Sequence, residues 1–144
     1  MFGEIINSGS GPALEAAMRF AAQRQKLIAN NIANITTPNF VQQDVSVADF
    51  QTALGEAIDR RRSASGLAEL SITGNSEVEM DSATGALTLR PESTIGGILF
   101  HDRNNRDLES LMQAQVENAT MFRVCADLLK NRSDLMRAAI GERV

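Results

Sequence analysis

The chain has 144 residues, with 18 acidic against 14 basic side chains for a net charge of −4, and neither Trp nor Tyr. Without a basic excess or stacking platforms, nucleic acid is excluded as the natural partner. No stretch approaches the roughly 18 consecutive apolar residues of a membrane span, and the start at Met1, Phe2, Gly3, Glu4 lacks the basic and apolar regions of a cleaved signal, so any export is expected to use another route.

The charge is unevenly placed: residues 1–62 carry six basic and six acidic groups, 63–100 one and five, and 101–144 seven and seven. That divides the chain into a flexible start at 1–11, an N-terminal helical segment at 12–62, an acidic variable middle at 63–100 and a long C-terminal helix at 101–144. The start runs from Phe2, Ile5 and Ile6 into Asn7, Ser8, Gly9, Ser10 and Gly11. Pro12 suits a first helical turn and Glu15 its positive end. From there Leu14, Met18, Ala21, Gln25, Ile28, Ile32 and Ile35 recur every third or fourth residue, a coiled-coil seam on a helix expected to fail near Thr37, because Pro38 disfavours helical geometry just before it. The asparagines Asn30, Asn31 and Asn34 tolerate left-handed geometry and can satisfy the last backbone groups of that helix.

Further on, Ser46 and Asp49 have capping-box spacing, and Val47, Phe50, Leu54 and Ile58 share one face, predicting a short third helix to about Arg61. Arg60, Arg61 and Arg62 then sit at its negative end, as a solvated terminus or a docking patch for an acidic partner. In the middle segment Leu70–Thr73, Glu77–Met80 and Ala86–Leu89 are strand candidates, with Thr84 and Gly85 marking a turn. A small β-hairpin at most is expected, with a disordered stretch as the alternative.

The only histidine, His101, stands beside Asp102. The pair lacks a second histidine, a nucleophile motif and metal-ligand spacing, so no catalytic, metal or cofactor site is expected. Asn104 is a candidate cap for the last helix, with Asp107 three residues on. Leu108, Met112, Gln115, Ala119, Phe122, Ala126, Leu129, Ser133, Met136 and Ile140 then hold the seam spacing to the end. Such a helix is roughly 50 Å long. Gln25 and Gln115, one in each seam, are candidate register-setting polar residues. Cys125 is a small apolar side chain on a helix flank and has no partner for an internal disulfide. Met121, Leu128 and Leu135 lie beside the main seam, and Leu111, Cys125 and Ala139 form another row. A helix apolar over so much of its circumference is packed on several sides, which makes Met121, Leu128 and Leu135 candidates for contact between subunits.

The stretch ANNIANITTPNF at 29–40 resembles the N-terminal signature ANNIANxxTPGY of the flagellar axial proteins, with Asn39 in place of glycine and Phe40 in place of tyrosine. DRNNRDLESLM at 102–112 resembles the second signature DGNNVDLExEM of the basal-body rod members, closest to the proximal rod, with Arg103, Arg106 and Leu111 as departures. The resemblance covers about residues 12–50 and 100–140 and places Asn30, Asn31, Asn34, Thr37, Pro38, Asn104, Asn105 and Asp107 in the family signatures. It implies a structural subunit of the rod that polymerises by helix packing and transmits torque. Its implied partners are copies of itself, other flagellar rod proteins, the basal-body adaptor at the membrane ring and the flagellar type III export apparatus, with no small-molecule substrate. Implied too are a rod that crosses the periplasm and export as an unfolded chain. Phe50 and Leu54 (FQTAL) resemble the short element by which rod and hook subunits are read at the export gate.

The fold expected is therefore mainly α: long N- and C-terminal helices paired as a coiled coil, a short third helix, and a loose middle. An isolated chain is expected to be partly disordered and to gain helix on oligomerising. A soluble helical export chaperone or adaptor, binding partner helices without polymerising, is the alternative that the same seams allow.

Overall fold

The computed structural model describes residues 9–64, 69–73, 77–81, 85–93 and 107–141. The N-terminal seam becomes α1, Gly11–Ala33, with Pro12 in its first turn. A two-residue strand, β1 (Gln43–Asp44), leads into α2, Val47–Ser63. The middle supplies β2 (Val78–Met80), β3 (Leu87–Leu89) and β4 (Glu92–Ser93). The chain then runs through α3, Leu108–Gly141, whose 34 residues make a rod about 50 Å long.

Local chemistry accounts for the ends. Ser46 Oγ accepts from the Asp49 backbone N–H at 3.1 Å, the expected cap of α2. At the start of α3 it is Asp107 that caps, its Oδ1 accepting from Ser110 N–H at 3.0 Å. Asn104, the residue the spacing favoured, lies with Asn105 and His101 outside the described residues. The helix α1 stops at Ala33, earlier than Pro38 alone requires, and successive turns follow through Asn39.

At the centre of the fold, α1 is covered on more than one side. Its Phe20 ring lies nearly parallel to that of Phe50 on α2, with centroids 3.9 Å apart, and both side chains are wholly buried. Leu70, Ile72, Val78 and Leu87 join Ala16, Ala17, Val45 and Ala57 in the same core. The middle segment is thus tied down where it is described. β2 pairs antiparallel with β3, Val78 opposite Leu89, as the alternation suggested. Gly85 closes this hairpin in left-handed geometry (φ 63), and a Cβ there would lie 2.7 Å from the Arg19 guanidinium, so glycine is required twice over. Leu70–Thr73 buries Leu70 and Ile72 without becoming a strand, a correction to the alternation argument. A second ladder, β1 with β4, joins residues far apart in the chain and has no signature in either segment.

On another side α1 packs against α3. Asn118 of α3 bonds to Ala21 and Gln25 of α1, while Gly9, just before α1, lies beside Arg132, so the helices run antiparallel. Because α1 begins at Gly11, the last turns of α3 extend past its start.

Candidate assembly surface

Three arrangements hold the long helices in place and decide which faces stay open. The first is the asparagine-rich turn. Asn31 is 2% exposed, and its amide grips the strand β1 at both ends of one peptide unit: Nδ2 donates to Gln43 O at 2.7 Å and Oδ1 accepts from Gln43 N–H at 3.1 Å. A side-chain amide thereby replaces a neighbouring strand. Asn34 is used differently, its Nδ2 donating to Asn30 O at 2.9 Å and Asn30 Oδ1 at 3.0 Å, while Thr37 Oγ1 donates to Asn34 Oδ1 at 3.3 Å. Asn39 takes positive φ (60°), the position where the signature carries glycine. Pro38 is exposed in the turn.

The second is an ion pair. Arg24 on α1 is largely buried and reaches Asp44 of β1 through Nε at 2.8 Å and Nη2 at 2.6 Å, a two-point contact that fixes the strand against the helix. The arginines at the end of α2 are likewise occupied. Arg60 bonds to Thr73 Oγ1 and, at 3.2 Å, to Ser71 O, while Arg61 donates to Gly9 O at 3.1 Å. Only Arg62 keeps to the surface, 3.8 Å from an equally exposed Asp59.

The third is the α1–α3 seam, whose register differs from the sequence reading. On α1, Ala21 and Ile28 are buried and Leu14, Met18 and Ile32 half-buried, but the deepest residue, Phe20, stood outside the predicted row. On α3 the buried positions are Leu111, Asn118 and Cys125, one residue before the expected row. Leu108, Met112, Phe122 and Ile140 are exposed, and Ala119, Leu129 and Met136 are half-buried. The cause is Asn118, 3% exposed, whose Nδ2 donates to Ala21 O at 2.9 Å and to Gln25 Oε1 at 3.0 Å. A buried amide must find partners, and these lie on α1. Apolar periodicity places asparagine outside a seam and so missed it; the buried polar partner is on α3 one turn from Gln115, while Gln25 does take part. Burial raises the Cys125 thiol pKa above its ordinary value.

The face of α3 turned away from α1 remains open. Val124, Leu128 and Leu135 are 51%, 48% and 72% exposed. Met121, grouped with them in the sequence, instead packs half-buried on the protein's own core, which removes it as a contact for a neighbour. Beside the seam a groove of about 400 Å³ is lined by Ala21, Ala22, Gln25, Asn118, Phe122 and Arg123, open and mostly apolar. Phe50 lies wholly inside the fold and Leu54 packs half-buried against the core. Among the described residues no group of three or more His, Cys, Asp or Glu could hold a metal, and no helix is long and apolar enough to cross a membrane.

Long helices paired through a polar-pinned seam, with apolar side chains left along the outer face, define a scaffold of helix-packing type. Residues 13–40 match the family model described as flagella basal body rod protein. The chain is 31% identical over 103 residues to the flagellar basal body rod protein FlgB of Borrelia hermsii, covering 69% of this chain and 71% of that one. It is 33% identical over 78 residues to the FlgB of Escherichia coli (strain K12), covering 49% of this chain and 54% of the relative, with the same values for the FlgB of Shigella flexneri. The chain belongs to the flagellar basal body rod protein family.

Proposed function

We propose that this chain is a structural subunit of the flagellar basal-body rod, built into the proximal part of a tubular shaft by helix packing and transmitting torque without catalysis. The observation that carries the reading is the outer face of α3: exposed Val124, Leu128 and Leu135 on a helix already anchored to its own α1. Covering one such side chain stabilises an assembly by about 1.5 to 3 kcal/mol before ordering costs. The two-point contacts at Asn31 and Arg24 favour a unit that resists shear. The relatives' names support the rod and lend nothing to a soluble export chaperone.

Its partners are then copies of itself and other rod proteins, with the adaptor at the membrane ring below. Delivery through the flagellar type III export apparatus, without a cleaved signal, brings it to a rod that crosses the periplasm. Phe50 and Leu54, packed inward here, are open to an export gate only before the chain folds. Imaging of basal bodies from a strain lacking this protein tests the proposal: rods missing at their base support it, and intact motile flagella sink it. Phe122→Asp adds a second arm, since a rod subunit carrying it is secreted but fails to build.

A further inference from the structure

We infer that the outer face of α3 carries a self-complementary edge for a second copy of this chain, lying parallel and displaced along the helix axis by half a heptad. The inference rests on the rod reading, which sets copies side by side and pointing one way. Its first component is a charged row: Arg123, Asp127, Lys130, Asp134 and Arg137 alternate in sign at steps of four and three residues. Such steps return to one side of a helix every two turns, so the five side chains form a single ridge. All five are exposed, and among the described residues none of them makes an ion pair or a side-chain hydrogen bond. The second component is the apolar stripe of Val124, Leu128 and Leu135, which follows the same stretch of helix.

Together the two components select the occupant. A uniformly acidic or basic partner, such as an anionic lipid surface, meets as many like charges as opposite ones along this ridge. A second copy of the ridge meets only opposite charges, provided that it is shifted by half of the seven-residue repeat, about 5 Å. Arg123 then faces Asp127 of the second copy, Asp127 faces its Lys130, Lys130 its Asp134, and Asp134 its Arg137. With no shift, or with a whole heptad, every charge meets its own kind, which disfavours that register. Leu128 and Leu135 are covered in the same contact, so apolar burial supplies the affinity and the charges supply the register.

Sedimentation velocity on the full chain tests this with two variants of single-sign ridge. Asp127→Lys with Asp134→Lys makes it wholly basic, and Arg123→Glu with Lys130→Glu and Arg137→Glu makes it wholly acidic. Each alone should self-associate roughly tenfold or more weakly than the parent, and an equimolar mixture should regain association. The mixture guards against misfolding, because two unfolded chains would not restore one another. The parent's own association should weaken in about 1 M salt, where screening acts over about 3 Å. A single-sign variant that associates as the parent does shows the ridge to be merely solvated and overturns the inference, as does a mixture that stays monomeric. A parent that remains monomeric at millimolar concentration overturns it too, while absent proximal rods in the deletion strain would leave the rod reading standing. Association through this edge in a chain whose loss leaves flagella intact would sink the rod reading alone.

Discussion

Asn30 and Asn31 are adjacent and chemically identical, and the structure assigns them very different weight. Replacing Asn31 by alanine removes both bonds to Gln43, at 2.7 and 3.1 Å, from a side chain that is 2% exposed. Each bond is worth about 1 kcal/mol net, and the stranded peptide groups of Gln43 add a desolvation penalty moderated by that residue's exposure. The expected loss is about 2 to 3 kcal/mol. Asn30→Ala removes one acceptor on an exposed side chain, and Asn34 keeps its other bond to Asn30 O at 2.9 Å, so the loss should stay below about 0.5 kcal/mol. Urea unfolding followed by circular dichroism separates them: with a slope of about 2 kcal/mol/M, Asn31→Ala should lower the midpoint by roughly 1 M while Asn30→Ala barely moves it. Asn31→Asp should be no better than alanine, because an acceptor oxygen would replace the donor facing Gln43 O. Equal midpoints for the two alanine variants, or a benign Asn31→Asp, would refute the clamp.

Further outcomes follow from single positions. Asn39, at φ 60°, should accept glycine within about 0.5 kcal/mol, whereas Asn39→Val should cost about 1 to 2 kcal/mol in thermal melts, the penalty of a branched side chain in left-handed geometry. Leu135→Asp, at a position 72% exposed, should leave the unfolding midpoint of the monomer within about 0.5 kcal/mol of the parent and yet abolish sedimenting oligomers. Cys125 should react slowly with a thiol reagent at neutral pH until the chain is denatured, since burial raises its pKa. The folded state holds that proton more tightly than the unfolded one, so this contribution to stability is complete below the ordinary thiol pKa of about 8.5 and declines as pH rises through it. A midpoint measured at neutral pH and again in alkali should fall for the parent more than for Cys125→Ser.

Much of this protein was legible in its residues. The extents of α2 and α3 follow from apolar spacing and from Ser46 and Asp107, because capping and periodicity act over a few neighbouring residues. The hairpin of β2 and β3 follows from alternation and Gly85, and the positive φ of Asn39 from its place in the turn. The family signatures named the asparagines without saying what Asn31 holds. Only the tertiary structure decided the rotation of α3, because three apolar rows competed for the seam and the buried amide of Asn118 settled it against Ala21 and Gln25 on a helix almost a hundred residues away. It likewise decided that Phe20 faces Phe50, that Met121 belongs to the core, and that β1 pairs with β4. Those outcomes depend on which surfaces meet. Periodicity orders the side chains around one helix, but the partner that covers each row is set by contacts between segments that local sequence does not encode.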